Sequence, residues 1–160
     1  MAVDENSVLV AHHLWPRRGC SSRKRVAASY RAKMLSGSYI LQANRARFNQ
    51  NQVNPTCPLC GTAPEDLPHF ILTCTKLHTP RMKLLPRISH LASALGMALP
   101  KDNLCKYLLN SGNPDTCCAC SGRSKRGKQI CKCARLNDLV NELCLNLHNA
   151  RVQVLSQNGK

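Results

Sequence analysis

The sequence predicts a mainly α-helical chain: short amphipathic helices gathered around a small cysteine–histidine knuckle, an irregular N-terminus and a long C-terminal helix. Three observations predict it. Apolar residues recur at helical spacing in several separate segments, most clearly between Leu136 and Val154. Strand signals are weak throughout. Cysteine and histidine crowd into "CPLCGTAPEDLPHFILTC", residues 57 to 74, with a glycine directly after the second cysteine.

Taken in order, residues 1–22 show no convincing period and form an irregular lead-in. From Arg23 to Gln50 the text reads helical. Val26, Tyr30 and Met34 recur four apart, Gly37 interrupts, and Tyr39, Ala43 and Ala46 resume the spacing. The opposite faces carry Arg23, Lys24, Arg25, Arg31, Lys33, Arg45 and Arg47, which makes two short helices with a basic outer side. "NQVNPT" is a polar turn into the knuckle. Beyond it, Leu84, Leu85, Ile88, Leu91, Leu95 and Leu99 keep helical spacing, with Pro86 expected in the first turn and Pro100 as the stop. Asp102 is placed to cap a short successor containing Leu104, Tyr107 and Leu108. "SGNPDT" is a loop. The final helix carries one apolar stripe, Leu136, Leu139, Val140, Leu143, Cys144, Leu147, Ala150 and Val154, with Asn137 as a candidate N-cap. The chain thus divides into a lead-in (1–22), a basic helix pair with the knuckle (23–75), and a helical region with a cysteine-rich loop at 117–133 (76–160).

At 160 residues there is room for one domain or two very small ones. Aromatic residues are only 4%, so the core must be built mainly from leucine, valine and alanine. Lys and Arg number 23 against 8 acids, a formal charge of +15. Such an imbalance points to a polyanionic partner, nucleic acid first, with a solvated basic surface as the plain alternative. No basic start precedes a long apolar run, so no secretory signal is read, and no stretch approaches the roughly 20 apolar residues of a membrane span. Eleven cysteines without an export signal suggest a reducing, intracellular setting, nuclear or cytoplasmic, where clustered cysteines serve more often as metal ligands than as disulfides.

Cys57, Cys60, His69 and Cys74 follow the pattern C-x2-C-x8-H-x4-C. Thiolate and imidazole are the ligands a tetrahedral zinc prefers, and a C-x2-C step folds backbone around the metal so that both sulfurs face inward. Gly61 suits the positive φ that such a turn needs, and Pro58 stiffens it. Asp66 can cap a short helix whose first turn holds Pro68, turning His69 back toward the cysteines. His69 and Cys74 are five apart, a splay of about 140° on an ideal helix, so the helix must end or loosen before Cys74. A thioredoxin-like redox pair shares the C-x2-C but wants a βαβ context, which is absent. Four protein ligands leave no open coordination position, so the metal stabilises rather than catalyses.

With these residues in hand, "RAKMLSGSYILQANRARFNQNQVNPTCPLCGTAPEDLPHFILTC" resembles the zinc-binding region at the C-terminal end of reverse transcriptases from non-LTR (LINE-type) retrotransposons. The arginine-rich helix pair, the "CPLCG" turn, "EDLPHF" and the closing Cys74 carry the resemblance, over about residues 30 to 75. It extends more weakly to "LVNELCLNLHNARVQVL" and does not cover residues 1–20. The resemblance implies Cys57, Cys60, His69 and Cys74 as metal ligands and a role in binding element RNA or target DNA. A polymerase needs paired aspartates to hold magnesium, and Asp4, Asp66, Asp102, Asp115 and Asp138 supply no such pair. The resemblance therefore implies a non-catalytic tail of a retroelement polyprotein.

A second cluster, Cys117, Cys120, Cys131 and Cys133, flanks the basic loop "SGRSKRGKQI" and is a candidate second metal site. Its C-x-C half is tighter than usual and Cys118 makes the ligand choice ambiguous, so a reduced cysteine loop is the alternative. Cys20, Cys105 and Cys144 read as single thiols, Cys144 in the core. His12, His13, His78 and His90 read as surface residues, and His148 can pack beside the last helix's stripe. The leading function is a zinc module contacting RNA or DNA phosphates through Arg25, Arg31, Lys33, Arg45 and Arg47. Sequence-specific readout is not expected, since Phe48 and Phe70 are the only phenylalanines and Phe70 reads as core. The alternative is a zinc-stabilised protein-interaction adaptor docking through its C-terminal helix.

Overall fold

Five α-helices hold most of the residues that the computed structural model describes, which are 20–49, 52–97, 103–111 and 132–158. They are α1 (Ser22–Leu35), α2 (Gln42–Phe48), α3 (His78–Ser93), α4 (Leu104–Asn110) and α5 (Lys132–Asn158). A π-helical turn, His69–Thr73, and a 3-10 turn, Thr75–Leu77, lead into α3. Among the described residues there is no strand, only an isolated antiparallel bridge between Thr56 and Pro64. The chain is mainly α, as the sequence predicts.

Helix α5 is the spine, 27 residues and so about 40 Å long. Its stripe is buried as expected: Leu136, Val140, Leu143, Cys144 and Leu147 are all within the core, packed between α1 and α3. Each such leucine, fully removed from water, contributes about 1.5–3 kcal/mol. Knuckle residues Cys57, Leu59, Phe70, Ile71 and Cys74 belong to the same contiguous core as the helices. Asn137 does not cap α5; the helix begins at Lys132, so Asn137 lies in its second turn and receives a hydrogen bond from Arg31.

The first helix sits in a different register from the one its spacing suggests. Its buried residues are Ala27, Ala28, Arg31 and Met34, while Val26 faces solvent. Arg31 is fully buried, so its assignment to the outer basic side is corrected. Its Nε donates to the Leu109 carbonyl at 2.7 Å, and Nη1 donates to Asn141 Oδ1 at 3.2 Å and to Asn137 Oδ1. Nη2 donates to the Ser111 carbonyl. Two of these acceptors are carbonyls at the C-terminal end of α4, where the helix dipole favours a cation. Burial lowers the Arg31 pKa to about 10, which still leaves it charged at neutral pH. Arg31 therefore staples α1 to α4 and α5.

Two features of α3 differ from expectation. The helix begins at His78, so Pro86 stands in its interior, on the solvent side, instead of in the first turn. The stop is Gly96 at φ +70° rather than Pro100: Met97 N–H bonds to the Ala92 carbonyl and Gly96 N–H to the Ser93 carbonyl, a Schellman closure that needs a left-handed residue. Helix α4 forms where expected, whereas Asp102 and Pro100, like the lead-in residues 1–19, lie outside the described residues. No helix among the described residues is long and apolar enough to cross a membrane.

Candidate metal centre and basic helix pair

The knuckle is assembled by local backbone bonds. Cys57 N–H donates to the Ala63 carbonyl at 2.8 Å, Gly61 N–H to the Cys57 carbonyl at 2.8 Å, and Glu65 N–H to the Pro55 carbonyl at 2.8 Å. Gly61 takes φ +69°, the conformation its position predicts. Asp66 Oδ1 accepts from His69 N–H at 2.8 Å, which is the expected cap. From His69 the helix loosens into the π turn, closed by Cys74 N–H on the His69 carbonyl at 2.8 Å. The wider i→i+5 turn removes much of the splay and brings ligands five residues apart to one side.

The result is a cluster in which one ligand atom from each of Cys57, Cys60, His69 and Cys74 lies within 4.8 Å of the others. Cys57 Sγ and Cys74 Sγ are 3.9 Å apart, and Cys60 Sγ and His69 Nε2 are 3.3 Å apart. A tetrahedron with metal–sulfur bonds of about 2.3 Å and metal–nitrogen bonds of about 2.0 Å has edges of about 3.8 and 3.5 Å. The donor set therefore fits a tetrahedral metal ion, and 3.9 Å is far too long for a disulfide near 2.05 Å. Burial pushes the metal-free Cys57 thiol up to about 12 and Cys74 upward as well. For Cys60 burial also acts to raise the value, but hydrogen bonds from Thr62, Cys57 and His69 outweigh it and bring the thiol down to about 6.

Three supporting residues escaped the sequence reading. Thr73 Oγ1 lies 3.2 Å from His69 Nδ1 and within reach of the His69 carbonyl. Its hydroxyl can donate to that carbonyl while accepting the Nδ1 proton, which leaves the Nε2 lone pair facing the cysteines. Arg81, buried on α3, donates Nε to the Leu77 carbonyl at 3.1 Å and Nη1 to the Leu72 carbonyl, bracketing Cys74; its Nη2 is buried with no partner among the described residues. Glu65 is fully buried. Its Oε2 accepts from Gln42 N–H at 2.9 Å and its carbonyl from Ala43 N–H at 3.3 Å, so it caps α2, whose own N-cap Leu41 cannot. The sequence signal for Glu65 was its place one residue before a capping aspartate; for Thr73, a hydroxyl four residues after a ligand histidine.

The basic residues divide. Arg25, Lys33, Arg45 and Arg47 are exposed, as are Arg23 and Lys24, whereas Arg31 is not. Lys24 Nζ pairs with Asp138 at 2.8 Å on an exposed surface. Lys33 lies 5.4 Å from the Tyr30 ring, and Arg45 donates to Gln42 Oε1 at 3.3 Å. Neither α1 nor α2 contains an acid. His148 packs as expected, stacked on Tyr30 at 3.8 Å, with its Nδ1 3.0 Å from Tyr39 Oη. His78 and His90 are exposed, Cys144 and Phe70 are core, and His12 and His13 lie outside the described residues. Of the second cluster only Cys133 is described, in the first turn of α5; Cys117, Cys120 and Cys131 lie outside the described residues. The chain matches no family model, no curated protein and no solved structure.

Proposed function

We propose that the chain is a non-catalytic zinc-binding module that contacts RNA or DNA, and that it serves as the nucleic-acid-binding tail of a retrotransposon reverse transcriptase. Zinc is the reading that three thiolates and one imidazole at tetrahedral spacing favour. With all four positions supplied by protein, the ion would hold Cys57, Cys60, His69 and Cys74 together and leave no site for a substrate.

The observation that carries the nucleic-acid reading is the exposed pair Arg23 and Arg25 in the first turn of α1, a helix with no acid of its own; Lys24 between them is already matched by Asp138. Cations there oppose the helix dipole by about 0.3–1 kcal/mol each, so the helix is less stable for having them. A polyanion on this surface would relieve that cost. Arg25, Lys33, Arg45 and Arg47 are the proposed phosphate contacts, with Arg31 removed from the set. The adaptor alternative is weaker, because the α5 stripe that would dock a partner is spent on the core.

Titrating a labelled oligonucleotide at increasing salt tests the reading. Neutralising four phosphates of a single strand predicts a slope of log affinity against log salt near −3. Arg45→Ala with Arg47→Ala should reduce that slope by about 1.4 and leave the zinc content unchanged. Affinity that ignores salt, or no binding at low salt, contradicts it.

A further inference from the structure

One large aromatic side chain stands in water where the core could have used it. Phe48, at the last turn of α2, is 79% exposed, and Ile40, in the turn before α2, is 67% exposed. Both line an open cleft of about 310 Å³ shared with Asn44, Arg45, Ser36 and Ser38. Asn44 Nδ2 donates to the Tyr39 carbonyl at 3.3 Å, so the turn that presents Ile40 is held in place. Ser36 and Ser38 hydroxyls, 2.8 Å apart, form a small polar wall. Arg45 lines the same cleft, and Arg47 directly precedes Phe48 in the last turn of α2.

We propose that this cleft is a stacking subsite for one unpaired base of a single-stranded nucleic acid. The inference rests on the nucleic-acid reading above and narrows it from phosphate contact in general to single strands. Every base offers a π-face to an exposed phenyl ring, and a base stacked on Phe48 would bury the ring against Ile40. Its 5′ or 3′ phosphate would then lie beside guanidinium groups that no acid in α1 or α2 neutralises. A base still paired in a duplex cannot offer its face this way, so single strands gain a contact that duplexes do not. An apolar protein partner would meet Arg45 in the wall of a cleft this small, and its desolvation would oppose docking.

The test compares a 12-nucleotide oligothymidine with its duplex, by fluorescence anisotropy, for the full chain and for Phe48→Ala, Phe48→Trp and the Arg45→Ala/Arg47→Ala pair. Phe48→Ala should weaken single-strand binding roughly five- to 150-fold, leave the salt slope unchanged and barely affect the duplex. Phe48→Trp should restore single-strand affinity. Metal content and circular dichroism of Phe48→Ala should match the parent, since the ring is exposed. Salt-dependent binding that Phe48→Ala leaves unaltered would overturn the stacking subsite while the phosphate reading stood. Equal loss on both substrates would also overturn it, as would a change from dimer to monomer on Phe48→Ala in sedimentation, which would assign the face to a second copy. Absence of binding by the parent at low salt would remove both the subsite and the reading beneath it.

Discussion

Arg151 of α5 grips Glu65 of the knuckle with two hydrogen bonds, Nε to Oε1 at 2.7 Å and Nη2 to Oε2 at 3.0 Å. The carboxylate is fully buried and the guanidinium nearly so. Because Glu65 also caps α2, one side chain ties the knuckle to both the basic helix pair and the spine. Burial of Arg151 acts to lower its pKa, but the hydrogen bonds and charge of Glu65 more than offset this and raise it.

Arg151→Met should destabilise the metal-loaded protein by about 3–5 kcal/mol, since it leaves a buried carboxylate without its partner. Adding Glu65→Gln should recover part of that loss. Chemical denaturation of the two variants gives the comparison, and additive losses would mean that the pair is not coupled.

Arg31 and the exposed arginines should behave oppositely. Arg31→Met orphans buried acceptors on α4 and α5, at about 1–3 kcal/mol for each that finds no new donor, and should lower the unfolding midpoint. Nucleic-acid affinity per folded molecule should not change. Arg47→Ala should do the reverse.

These two arginines show how far the sequence could be read. The ligands of the knuckle fall within 18 residues, and local rules for Gly61, Asp66 and the five-residue step from His69 to Cys74 were enough to foresee its turn, its cap and its loosened helix. The α5 stripe was legible because leucines mark its inner face. Arg31 was not, because α1 is lined by small alanines that make a weak pattern, and an arginine within it reads as outer surface. Its acceptors lie 78 to 110 residues away, and Arg151 lies 86 residues from Glu65. Pairings at that range have no local signature. The end of α3 differs for another reason: Pro100 is the stronger local stop signal, but the left-handed closure at Gly96 comes first along the chain.

Thr73→Val should weaken metal binding about 10- to 100-fold in a chelator competition, because it removes the hydroxyl that hydrogen-bonds His69 Nδ1 and orients the ring. Thr73→Ser should retain the affinity. Equal retention by valine would show that the ring is oriented without this contact.

His148 should titrate below the ordinary imidazole range near 6.5. Burial is the main cause, and the positive charges of Arg151 and Lys33 add to it. Tyr30 and Tyr39 also face the ring, and burial raises the Tyr39 hydroxyl to about 12, so it stays neutral while it hydrogen-bonds Nδ1 at 3.0 Å. With the folded value below the unfolded one, the stability from this neutral ring is complete above about pH 6.5 and is lost as pH falls through the folded value. Resolved proton resonances of His148 across pH 4 to 8 provide the check, and a midpoint above 6.5 would contradict the packing.

The claim on which the rest depends is that Cys57, Cys60, His69 and Cys74 hold one metal ion together. Its most direct test is the zinc content of freshly reduced parent protein set against Cys60→Ser and Cys144→Ser. The parent and Cys144→Ser should carry equal zinc, and Cys60→Ser about one ion per chain less. No zinc in the parent, or the same zinc in Cys60→Ser, would contradict the account.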